Sequence, residues 1–438
     1  MKPQGFLDLL RHRHGDADLL GAGSATASAP VAGEFMFATG IECSNPTIGN
    51  GRIRRDLLDE CGHYDRWRED LALVSDLGLR FLRYGLPCHK VHLGPGRYDW
   101  SFADLAMAEM QRLGIVPILD LLHFGVPDWL GDFQNPELPL HFADYAGAVA
   151  ARYPWVRYWT PVNEIYVSAR LSAKEGLWNE QLSTDRGFVT ALKHLTAACK
   201  LACARIAAVR PDAVIVHSES AELVHDLRRV PCPNIEMHNK QRFTALDLLL
   251  GQEPCRRIQD YLAECGMTRA EYEWFMAGEP AGQQVVGLDY YGRNEHASKP
   301  CGKRFALEDI AGWFLVSRDY HERYRRPLMH TETNVFDAAA APGWLWKQWV
   351  NILRSRQDGV PVLGFTWYSL IDQVDWDCAL AERRGTVNGC GLYDLQRRPN
   401  PVAAEYRALL EEFSGLELVP HGATSEAASR AIGSRVAA

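Results

Sequence analysis

A chain of 438 residues with 47% hydrophobic and 10% aromatic content can bury a large core, and its length suits one α/β barrel as well as two or three average domains. A net charge of −8 with no basic stripe argues against a nucleic-acid partner. No apolar run approaches the roughly 18 residues of a spanning helix, and Asp8, Arg11, His12, Arg13 and His14 interrupt the few N-terminal leucines, so a secretory core is also excluded. The eleven cysteines are odd in number and scattered without a CxxC pair, which suits reduced structural thiols in a soluble, cytoplasmic protein.

Residues 1–33 read as a flexible tail: a short helical pattern, then a Gly, Ala, Ser and Thr run too poor in large apolar groups to pack. Residues 419–438 have the same character, leaving one domain over 34–418. Within it eight short apolar runs, 35–41, 79–84, 116–122, 156–160, 213–217, 285–290, 327–331 and 362–367, have the pattern of strands buried on both faces of a parallel sheet. Amphipathic helical patterns at 67–77, 101–113, 140–152, 186–209 and 344–356 lie between them. Successive strands start 35 to 72 residues apart, room for a helix and a loop each. Eight βα units in one chain predict an α/β fold closed as a (β/α)8 TIM barrel. The longest gap, after the fifth strand, carries helical patterns at 242–250 and 255–265 and reads as an insertion on the face that shapes a substrate pocket.

Barrel enzymes work at the C-terminal ends of their strands, and polar groups collect there in this chain. In strand order these are Glu42, Ser44 and Asn45; Arg83 and Tyr84; His123; Asn163 and Glu164; His217 and Glu219; Tyr290, Tyr291 and Asn294; Glu332; and Trp367, Asp372, Asp375 and Trp376. Two carboxylates ending two separate strands, Glu164 and Glu332, are what a retaining glycosidase requires: one protonates the leaving oxygen while the other attacks the anomeric carbon. No cofactor or metal site emerges, because His89 and His92 lack a carboxylate at ligand spacing.

Several segments resemble the family 1 β-glycosidases. Thr160-Pro161-Val162-Asn163-Glu164-Ile165 is similar to the family's T-x-N-E-P, and His123-Phe124-Gly125-Val126-Pro127-Asp128-Trp129-Leu130 to H-W-D-x-P-x-W-L. Thr331-Glu332-Thr333-Asn334 is similar to T-E-N-G. The stretch from Trp367 to Trp376 resembles W-S-L-L-D-N-F-E-W, and Gly391-Leu392-Tyr393-Asp394 resembles G-L-x-x-V-D. The departures are that the first-strand Gln-x-Glu-Gly is replaced around Glu42, Ile165 stands where the family has Pro, Phe124 replaces Trp, and the motif before Asp375 is one residue longer.

The resemblance implies a divergent, β-glucosidase-like hydrolase acting by double displacement, with Glu164 as acid/base and Glu332 as nucleophile. It further implies that Arg83, Tyr291 and Asn163 support this pair and that Glu42, His123, Trp367, Asp375 and Trp376 hold the sugar, with Trp367 under its ring. Retention places the two carboxyl groups about 5 to 5.5 Å apart. The expected partner is a small β-glycoside or oligosaccharide, with no nucleic acid and no membrane. A transglycosidase with the same two acids and a carbohydrate-binding pseudoenzyme are the alternatives, and the sugar and the oligomeric state stay open.

Overall fold

The computed structural model describes residues 5–14, 34–228, 232–298, 304–307 and 309–416. Eight parallel strands close into a barrel, and each of the eight runs predicted above supplies one of them. We number them β1 (Met36–Ile41), β2 (Phe81–Gly85), β3 (Val116–Asp120), β4 (Tyr158–Thr160), β5 (Val214–Ser220), β6 (Gln283–Asp289), β7 (Leu328–Glu332) and β8 (Val362–Trp367). Closure is by β1, which pairs with β8 through Met36–Gly364 on one side and with β2 through Ala38–Phe81 on the other.

The continuous apolar runs follow from this closure, because each strand faces side chains inside the barrel and helices outside it. Met36, Ala38, Phe81, Ile118, Tyr158, Val214, Val216, Val285, Met329 and Leu363 fill the interior. A second, larger apolar layer packs between the strands and the outer helices, which include Ser101–Leu113, Leu138–Arg152, Asp185–Val209 and Ala341–Gln357. No helix among the described residues is long and apolar enough to cross a membrane.

The expected tails need one correction. Residues Phe6–His14 form a helix whose Phe6, Leu7 and Leu10 are buried, with Phe6 set edge-on against Trp274. Three apolar side chains on one face cannot make a core, but they suffice to dock a helix onto one already built. The remainder of the proposed N-terminal tail, and 419–438, lie outside the described residues.

The insertion after β5 holds four helices, Pro233–Gln241, Thr244–Leu250, Arg256–Glu264 and Arg269–Met276. Lys193 binds Glu271 at 2.7 Å and Lys200 donates to the Phe275 carbonyl at 2.7 Å, which fastens the insertion to helix Asp185–Val209. At the C-terminal rim of the barrel, a Cβ on Gly125 would lie 2.1 Å from the Asn45 carbonyl oxygen, so only glycine lets the loop after β3 close on the loop after β1. The Asn45 amide donates to the His123 carbonyl at 3.0 Å across this contact.

Candidate active site

Glu332, the last residue of β7, is held by cations and donors from two other strands. Arg83 of β2 donates from Nη1 to Glu332 Oε1 at 2.6 Å and to the Thr331 carbonyl at 3.1 Å. Its Nη2 donates to Asn163 Oδ1 at 2.9 Å. Tyr291, just beyond β6, donates its hydroxyl to Glu332 Oε2 at 2.5 Å. Burial acts to raise the Glu332 pKa, but the charges of Arg83 and His123 and the hydrogen bonds from Tyr291 and Arg83 outweigh it and hold the carboxyl below its ordinary value. This is an ionised, oriented carboxylate.

Glu164 is the opposite case. It follows β4, is buried, and is pushed well above the usual carboxylate range by burial first, then by the negative charges of Asp289, Glu332, Glu219 and Glu222. Two carboxyls whose surroundings drive their pKa values apart are the electrostatic signature of an acid paired with a nucleophile. Both line one cavity of about 470 Å³, together with His123, Tyr291, Tyr368 and Trp376.

Beneath the pair, Asp120 at the end of β3 accepts from His123 Nδ1 at 2.6 Å. That bond orients the ring so that Nε2 faces Asn163 Nδ2 at 3.2 Å. Glu42, fully enclosed beyond β1, lies 2.6 Å from Arg83 Nη1, with His123 Nε2 3.6 Å from its other oxygen. Burial raises its pKa well above the usual value; Arg83 opposes, while Glu332 and Asp120 add to the rise. Glu42, His123 and Glu332 form a group compact enough for a cation, with ligand atoms within 4.8 Å of one another. Arg83 Nη1 already stands 2.6 Å from both carboxylates there and supplies the compensating charge.

Two expected sugar contacts are corrected. Asp375 is fully buried and faces away from the cavity: it accepts backbone amides from Arg384 at 2.8 Å, Gly385 at 3.0 Å and Thr386 at 2.7 Å, and pairs with Arg55 at 3.1 Å. Its oxygens are consumed in closing the loop that carries Trp376. Trp367 is also fully buried, with its indole N–H donating to the Cys390 carbonyl at 2.9 Å, and Tyr368 takes the cavity position instead. Trp376 does reach the cavity, beside Phe124 at a ring distance of 5.8 Å, and its indole nitrogen has no protein partner. Asp375→Ala should therefore lower stability by about 3–5 kcal/mol, the usual cost of breaking a buried ion pair. A urea midpoint unchanged from wild type would return Asp375 to the sugar.

Asp120 and Asp289 were not singled out from the sequence, although an acid as the last residue of a barrel strand was the available signal in both cases. Asp289 accepts the Ser218 hydroxyl on both oxygens, at 2.7 and 2.8 Å, and burial with the Glu332 charge lifts its pKa to about 8. His217 lies off the cavity, its Nε2 2.5 Å from Gln284. A groove of about 1040 Å³ adjoins the cavity through Arg170 and Glu175. Its charges pair among themselves, as Lys174–Asp185 at 2.8 Å and Arg256–Asp260 at 2.9 Å, so the smaller cavity is the chemical centre.

A closed parallel barrel with two carboxyls lining one cavity at its C-terminal rim fits a glycoside hydrolase of the (β/α)8 class. The glycosyl hydrolase family 1 model matches residues 50–235. Beta-glucosidase A of Thermotoga maritima is 23% identical over 373 residues, covering 75% of this chain and 81% of its own. The aryl-phospho-beta-D-glucosidase BglA of Bacillus subtilis is 32% identical over 112 residues, 23% of each chain. The solved family 1 b-glucosidase from Thermotoga maritima superposes with a TM-score of 0.72 at 18% identity, covering 89% of this chain and all of that one, a likeness of fold. Over residues 50–235, then, the chain is similar to the family 1 glycosyl hydrolases, and over most of its length it is distantly similar to beta-glucosidases.

Proposed function

We propose that the protein is a retaining β-glycosidase that hydrolyses the O-glycosidic bond of a small β-glycoside or oligosaccharide. The observation that carries this reading is the contrast just described, a Glu332 held ionised by Arg83 and Tyr291 and a Glu164 pushed toward its protonated form, both facing one cavity. Glu332 attacks the anomeric carbon while Glu164 gives its proton to the departing oxygen, leaving a glycosyl ester on Glu332. Glu164, now a carboxylate, takes a proton from the water that cleaves the ester. His123 and Trp376 line the cavity and are the groups to meet hydroxyls of the reacting sugar, with the enclosed Asn163 and Glu42 bound to Arg83 behind them. A cytoplasmic location belongs to the same reading and is favoured by the free thiols of the described cysteines.

The test is turnover of a panel of aryl β-glycosides. Glu164→Ala should slow the hydrolysis of poor leaving groups by about 10²- to 10⁴-fold, the usual contribution of general acid–base catalysis. On an activated aryl glycoside, whose departure needs no proton, azide, which needs no deprotonation, should take the place of water, restore turnover and yield a β-glycosyl azide. The alkaline limb of the wild-type kcat/KM should follow loss of the Glu164 proton, above the ordinary carboxylate range, and should vanish in Glu164→Ala. No azide adduct, or an α-configured one, would overturn the assignment.

A further inference from the structure

We infer that Glu219 is a positioning residue that holds the Glu164 carboxyl in line with the departing oxygen, a role that rests on the glycosidase reading of Glu164. Glu164 sits at φ 40° and ψ 63°, a left-handed conformation that strains a non-glycine residue and persists only where its surroundings enforce it. Two successive residues of β5 do so. The Ser218 carbonyl accepts the Glu164 amide at 2.8 Å on one side. On the other, the buried Glu219 carboxyl accepts the Ile165 amide at 2.9 Å through Oε1 and the Tyr166 amide at 3.3 Å through Oε2.

Ile165 opens helix Ile165–Ala173, and its amide is one of the N–H groups that no residue of the helix can satisfy. A proline at that position has no N–H to satisfy. Ile165 therefore brings a buried donor beside the acid, and Glu219 is what answers it. Burial lifts the Glu219 pKa to about 8 against the pull of the two amides, and an oxygen of either protonation form accepts the Ile165 N–H. Without Glu219 the first turn of the helix loses its acceptor, and the backbone carrying the Glu164 side chain is free to relax out of the left-handed region.

A role in aiming a proton differs from a role in folding by its dependence on the leaving group. The values to compare are kcat/KM for a methyl β-glycoside, whose departure needs a proton, and for the 2,4-dinitrophenyl β-glycoside of the same sugar, whose departure does not. Glu219→Ala should lower the first by about 10- to 100-fold, since small misplacements of a catalytic group cost this much, and leave the second close to wild type. Glu219→Gln keeps one acceptor oxygen and should retain most of the activity on the methyl glycoside, which also covers the case in which the alanine variant does not fold. Ile165→Pro should weaken the wild type slightly, yet recover part of the loss in Glu219→Ala, because it deletes the orphaned N–H.

Equal losses on both glycosides, or a folded Glu219→Ala with unchanged values, would overturn the positioning role while leaving the glycosidase assignment standing. A wild type inactive on both would remove that assignment, and this role with it.

Discussion

Glu332→Ala is expected to abolish hydrolysis, lowering kcat on the order of 10⁴- to 10⁶-fold with KM little changed, as removal of a nucleophile does when the binding groups stay in place. The loss is larger than for Glu164→Ala because a good leaving group can depart without a proton, whereas no other carboxylate here is held ionised by Arg83 and Tyr291 against the anomeric carbon. Glu42 cannot substitute: it is enclosed beyond β1 and burial favours its neutral form. Azide should convert Glu332→Ala into a source of the α-glycosyl azide, the opposite anomer to that from Glu164→Ala, because it enters from the face the carboxylate vacated. A 2-deoxy-2-fluoro glycoside should inactivate the wild type and add its mass to the peptide containing Glu332. Labelling of Glu42 or Glu164 instead would sink the assignment.

The parts of this site that could be read from the sequence share one physical origin. The barrel was legible because strands buried on both faces must be continuously apolar, and the rim because a polar residue ending such a run has no structural reason to be there. All eight strands follow from that, and so does the place of Glu164 and Glu332 at the rim. Asp375 misled for a converse reason: an acid in a sugar-binding motif is informative only while its oxygens are free, and nothing local reveals that Arg55, 320 positions away, and the amides of 384–386 consume them. Trp367 and Tyr368 show how one inserted residue shifts which aromatic ring meets the cavity. The docked helix Phe6–His14 was obscured because its partners, Trp274 and Phe275, belong to the distant insertion. Glu219 was visible as a polar strand end, but its orientation toward the Ile165 amide depends on the backbone turn at Glu164.

Arg83→Met should produce the second large effect, because one guanidinium neutralises two buried carboxyls. Arg83 Nη1 lies 2.6 Å from both Glu42 and Glu332, and its Nη2 orients Asn163, so methionine of similar length leaves two acids facing each other with no cation between them. Removing one partner of a buried ion pair costs about 3–5 kcal/mol, and loss of the charge that keeps the nucleophile ionised should reduce kcat/KM on the order of 10²- to 10³-fold. The Glu332 pKa, now held down chiefly by Arg83 against burial, should rise, so the acid limb of kcat/KM moves to higher pH. A carboxylate with a depressed folded-state pKa stabilises the fold above its unfolded pKa, and that contribution is lost as the pH falls through the folded value. The stability difference between wild type and Arg83→Met should therefore be widest at neutral pH and narrow once the pH drops below the ordinary carboxylate range. Arg83→Lys keeps the charge but not the fork that reaches Glu332, Glu42 and Asn163 together, so it should restore stability more fully than rate. Urea unfolding and pH–rate profiles of the three proteins decide the matter, and an acid limb unmoved in a folded Arg83→Met would show that Glu332 does not depend on Arg83 for its charge.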